Sequence, residues 1–146
     1  MPAPNSLRDL ILWEDDDIFV INKPPFISTL DDRNDPHNLL ALAKAYTPDA
    51  QAAHRLDKDT SGALAFARNP EAYRHLSLQF EHREINKIYH AVVDGIHDFQ
   101  DTLVEIPILK LDDGTVTLSR QGKDATTHFT TLEAFRAQTL VECRPM

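Results

Sequence analysis

The chain is 146 residues long, carries a formal net charge of −8 and is 42% hydrophobic. That length suffices for one domain with a real core, and the composition excludes a disordered tail. No apolar run approaches the roughly 20 residues of a membrane-spanning helix, and no cationic segment followed by an apolar one marks a leader.

The acidic balance is unusual for a partner of nucleic acid, because phosphate binding normally shows as a basic surface. Distribution matters more than the sum. Acidic residues concentrate in Glu14-Asp15-Asp16-Asp17, Asp31-Asp32 and Asp112-Asp113, whereas basic residues and histidines gather between His54 and His90. A single cysteine, Cys143, cannot form an internal disulfide and suits a reducing compartment, the cytoplasm.

Residues 1–9 read as a flexible N-terminal tail, and residues 10–146 as one domain. Asp17–Asn22 is β-rich and is stopped by Lys23-Pro24-Pro25, since proline cannot donate to a ladder. Asn38–Ala45 reads as a short helix. The polar stretch Asp57–Ser61 is turn-rich, and Gly62–Ala67 is a small apolar strand. The best helix starts at Asn69: an asparagine cap, Pro70 in the first position and Glu71 complementing the dipole. Tyr73, Leu76 and Phe80 make its apolar stripe, and it should end near Glu84. Strands follow at Lys87–Val93, Thr102–Ile106, Thr115–Ser119, Thr127–Leu132 and Thr139–Cys143, with Asp113-Gly114 as a hairpin turn. Many strands, few helices and no βαβ alternation predict an α+β fold: a largely antiparallel sheet with a few flanking helices.

The densest polar cluster is His54-Arg55-Leu56-Asp57-Lys58-Asp59-Thr60-Ser61-Gly62. A carboxylate beside a guanidinium is held ionised and can serve as a nucleophile or base. Taken alone, the same residues also read as a surface ion pair on a turn. In Lys87-Ile88-Tyr89, strand alternation would put Lys87 and Tyr89 on one face, where a phenol beside a cation could move a proton. The plain alternative is a tyrosine half-buried in a strand. Asn22-Lys23-Pro24-Pro25 alone is a strand end and a turn. Histidine and cysteine spacings match no metal motif, so no metal is expected. A glycosidase pair would need a second acid, for which only Asp59 lies near, and adjacent turn residues seldom converge across a substrate.

Four strings taken together resemble one family. His54-Arg55-Leu56-Asp57 continuing to Thr60-Ser61-Gly62 is similar to the signature of the RluA-type RNA pseudouridine synthases. Upstream, Glu14-Asp15-Asp16 and Asn22-Lys23-Pro24 resemble the family's first motif. Downstream, Lys87-Ile88-Tyr89 with Val92-Val93-Asp94-Gly95 resembles its Lys-x-Tyr motif, and Gly122–Thr127 resembles its Gly-Lys-x-Ala-x-Thr segment.

The resemblance implies the catalytic fold of that family and conversion of uridine to pseudouridine in structured RNA, either rRNA or tRNA. Asp57 would be the catalytic aspartate, attacking the ribose or assisting departure of the base, and Tyr89 would sit against the uracil. Arg55 would enter the RNA stack where the target base is extruded. Lys87, Lys23 and Lys123 would serve RNA phosphates or the scaffold. No cofactor is implied, because the reaction is an isomerisation. The family continues past the final strand with Thr-Gly-Arg-x-His-Gln-Ile-Arg, whereas this chain reads Cys143-Arg144-Pro145-Met146, so the catalytic domain is expected to lack its C-terminal part. That absence would leave an uncapped sheet edge through which copies could associate. It also admits a second reading, an impaired homologue that binds RNA or a partner without turnover.

Overall fold

The structure, a computed structural model, describes residues 6–30 and 37–146. The acidic pair Asp31-Asp32 therefore lies outside the described residues, as do the first five residues of the expected tail. The chain divides into two compact units, Met1–Glu84 and Ile85–Met146. It is α+β, as expected, but its strands form two four-stranded antiparallel sheets and a separate hairpin rather than one sheet. Among the described residues, no helix is long and apolar enough to cross a membrane.

In the first unit, the tail is shorter than its sequence suggests. Ser6 caps a short 3-10 helix, Leu7–Leu10, and Leu7 is buried. The sheet has the order β1 (Ile11–Glu14), β2 (Ile18–Lys23), β4 (Gly62–Ala67), β3 (Gln51–Ala52). The acidic run after β1 is its turn: the Asp15 carboxylate accepts from the amides of Asp17 and Ile18, both at 2.8 Å. Those two donors hold the Asp15 carboxyl below its ordinary value. Alternation along β2 sends Phe19, Ile21 and Lys23 into the core, where Phe19 stacks on its cross-strand partner Phe66.

Two helices complete this unit. α1 (Leu39–Tyr46) is capped by Asn38 and buries Leu39 and Ala43. α2 (Pro70–Glu81) is capped by Asn69, as its sequence predicts. It stops short of Glu84 because Arg83 takes a left-handed φ of 57°. The amides of Arg83 and Glu84 then bond to the carbonyls of Phe80 and Gln79, a Schellman ending without its usual glycine. Tyr73 is exposed, so the buried face of α2 is narrower than its apolar stripe; Ala72 is its buried residue and Leu76 and Phe80 are half-buried.

The second unit holds the order β5 (Tyr89–Asp94), β10 (Gln138–Pro145), β9 (Thr126–Ala134), β6 (Thr102–Glu105). Its last strand is thus a central one, paired along its length with β5 on one side and β9 on the other. Among the described residues, the edge strands of this sheet are β5 and β6. Thr139 and Val141 of β10 are buried, and the Thr139 hydroxyl donates to the Gly95 carbonyl at 2.8 Å.

Asp113-Gly114 does turn a hairpin, but between β7 (Ile108–Lys110) and β8 (Val116–Leu118). Thr102–Glu105, the expected partner, ends ahead of Pro107 and pairs with β9 instead. The Gly122-Lys123 segment lies against β7 through paired bonds between Lys123 and Ile108, at 2.8 and 2.9 Å. The approach is so close that a Cβ on Gly122 would meet the Ile108 carbonyl group at 2.4 Å. Only glycine fits there.

Candidate active site

Asp57 stands on a turn between β3 and β4, closed by the Thr60 amide donating to the Asp57 carbonyl at 3.0 Å. Leu56, just before it, is buried, while Arg55 and Asp57 on either side are exposed. The turn ends at Gly62, whose φ of 133° suits glycine.

This turn is gripped through its backbone. The Lys23 ammonium, fully buried at the end of β2, donates to the carbonyls of Thr60 at 2.7 Å, Lys58 at 2.9 Å and Pro24 at 3.0 Å. The Lys58 carbonyl also receives the Phe26 amide at 2.7 Å. The buried Thr29 hydroxyl donates to the Leu56 carbonyl at 3.0 Å, and the Leu56 amide donates back to that oxygen at 3.4 Å. Thr29 is itself anchored, because the amides of Leu39 and Leu40 at the start of α1 bond to the carbonyls of Ser28 and Thr29. Behind the turn, the His54 ring accepts from the Ala65 amide at 2.9 Å and stacks on Phe80 at 4.3 Å.

Two sequence expectations change here. Arg55 and Asp57 form no ion pair; with Leu56 anchored in the core, the two side chains project into solvent. Lys23, by contrast, feels the charges of both Asp59 and Asp57. Lys23, expected among the residues serving RNA phosphates or the scaffold, belongs to the scaffold: it is fully buried and its donors are taken by carbonyls. Burial pushes its ammonium below the ordinary lysine value of 10.5, opposed by the charges of Asp59 and Asp57.

The Asp57 side chain has no hydrogen bond or ion pair to any described residue. Its lone pairs are therefore available to a bound molecule.

Tyr89, Lys87 and Lys123 belong to the second unit, and Asp57, Arg55 and Lys23 to the first. Tyr89 opens β5, half-buried and opposite Cys143. Lys87 is exposed and precedes the strand, so strand alternation does not place it on the face of Tyr89. Lys123 is exposed beside the Ile108 bridge. Among the described residues, no three His, Cys, Asp or Glu side chains gather as a metal site.

Sequence reasoning missed Thr29 and Phe26. Nothing local marks Thr29, because its role is set by a carbonyl 27 positions away. Around Phe26 only the turn was signalled, by Pro25 in its first central position; the φ of 69° at position 26 was not. A bulky residue there costs about 1 kcal/mol or more.

An antiparallel α+β fold with a clamped, outward-facing carboxylate defines a class that comparison with known proteins makes specific. Residues 17–146 match the family model described as RNA pseudouridylate synthase, and the chain belongs to that family. It is 34% identical over 145 residues to "Ribosomal large subunit pseudouridine synthase C" of Vibrio vulnificus, covering 97% of this chain and 46% of the relative. The protein of the same name from Escherichia coli is 35% identical over 148 residues, with coverages of 97% and 46%. Among solved structures, "Human RNA Pseudouridylate Synthase Domain Containing 4" superposes with a TM-score of 0.75 at 26% identity, over 95% of this chain and 59% of that one. The chain spans about half the length of the curated relatives it matches.

Proposed function

We propose that this chain carries the catalytic core of an RNA uridine-to-pseudouridine isomerase in which Asp57 is the reacting carboxylate. One observation carries the reading: Asp57 is exposed and unpaired among the described residues, on a turn whose backbone is clamped at Leu56, Lys58 and Thr60. A fixed carboxylate with open lone pairs is what attack on a ribose carbon, or assistance to a departing base, requires.

The reaction breaks the N1–C1′ bond, turns the uracil and joins C5 to C1′. A proton is lost from C5 and one is gained at N1, so atoms and electrons balance without a cofactor. Arg55, exposed two residues before Asp57, is the planar cation we assign to the gap left by an extruded base. Tyr89 is assigned to the uracil and its proton transfer, and Lys87 and Lys123, both exposed, to phosphate. Ribosomal RNA is the substrate favoured by the names of the relatives, with transfer RNA as the other structured candidate. We assign the chain to the cytoplasm as the compartment in which it would meet such a substrate.

The test is tritium release from RNA labelled at uridine C5. Asp57→Asn should abolish release while RNA binding persists. Because Asp57 is exposed and unpaired, stability should change by less than about 0.5 kcal/mol. Undiminished release by Asp57→Asn would remove the residue from this role.

A further inference from the structure

Phe26 is 69% exposed. It is held at a φ of 69°, a conformation that glycine adopts without cost and a phenylalanine resists. Its amide is bound to the carbonyl of Lys58, the residue after Asp57, at 2.7 Å. The ring has no aromatic partner among the described residues. Exposure and backbone strain both oppose folding, so the ring's use lies outside the fold.

We infer that Phe26 is a base-stacking residue, its ring lying against an unpaired RNA base next to the uridine presented to Asp57. The inference rests on the isomerase reading for the identity of that neighbouring uridine. Extruding one base unstacks its neighbours, and an aromatic face near the reacting group recovers that stacking whatever the base. Single-strand sites pair such faces with cations, and Arg55 is exposed two residues before Asp57. The surroundings disfavour an apolar protein partner, because Asn22, Arg55, Asp57 and Asp59 around the clamped turn are all exposed and polar.

The experiment compares Phe26→Gly, Phe26→Leu and Phe26→Trp in the 146-residue chain. The probes are an RNA hairpin with one loop uridine and the same hairpin with abasic sites flanking that uridine. Phe26→Gly should bind the intact hairpin about 10-fold more weakly, with an unchanged or higher Tm because glycine relieves the turn. Its KM for tritium release should rise while kcat holds. Phe26→Trp should restore binding and Phe26→Leu should not. The abasic hairpin should weaken the parent chain equally and leave Phe26→Gly unaffected.

Parent-like binding by Phe26→Gly, or rescue by leucine as good as by tryptophan, would overturn the assignment. A lowered Tm with the abasic penalty intact would make Phe26 a packing residue and overturn it too, as would a parent chain that binds neither hairpin. If the parent releases no tritium yet the abasic effect depends on Phe26, stacking stands and the isomerase reading falls. If release is normal and that dependence is absent, stacking alone falls.

Discussion

The ammonium of Lys23 donates to the carbonyl oxygen of Thr60 at 2.7 Å, tying the end of β2 to the turn that bears Asp57. A charge that would be costly to bury alone is retained because three carbonyls receive it and two carboxylates lie within reach of its field.

Lys23→Met keeps the length of the side chain and removes its donors. The carbonyls of Pro24, Lys58 and Thr60 then lose a charged partner, so the chain should lose about 3 kcal/mol of stability. Urea unfolding checks this. A loss under about 1 kcal/mol would mean that water replaces the ammonium at the turn.

Thr29→Val is nearly isosteric and removes the hydroxyl that serves Leu56. The Leu56 carbonyl is left without that donor in a buried setting, at a cost of about 1–2 kcal/mol. Thr29→Ser should keep most of the stability. Tritium release should fall in the valine variant more than in the serine variant, because the turn holding Asp57 is loosened.

Gly122→Ala tests the close packing beside β7. Its Cβ would fall 2.4 Å from the Ile108 carbonyl group, which cannot rotate away as a side chain could. The bridge from Lys123 to Ile108 should open, with a loss of about 2 kcal/mol or more. Amide exchange at Ile108 and Lys123 should accelerate.

Asp15 supplies a pH signature. Its folded-state carboxyl lies below 3.8 because the amides of Ile18 and Asp17 favour the charged form. The contribution of this group is therefore fully present above 3.8 and is lost as pH falls through the lower folded value. NMR titration should place the Asp15 midpoint below 3.8, and Asp15→Asn should flatten the acid limb of the stability profile.

Local signals located much of this. The Asn69-Pro70 start of α2, the span of β4 and the Asp113-Gly114 turn follow from residues that are neighbours in the chain. The motif around Asp57 also marked the turn correctly. What stayed hidden depends on distant partners. Lys23 reads as a surface cation until Lys58 and Thr60, 35 and 37 residues on, turn their carbonyls toward it. The end of α2 was overrun because a left-handed Arg83 does the work that a glycine would have signalled. β7 was missed because three residues, Ile108–Lys110, are too few to show a period.

The clamp on the Asp57 turn holds main-chain oxygens, which every amino acid possesses. At Lys58 and Thr60 the grip itself asks nothing of the side chain, so it survives exchange there as long as the backbone keeps its course. Lys23 and Thr29 have no such freedom, since their own side chains form the grip. Natural variation should therefore spare the two residues that hold the turn.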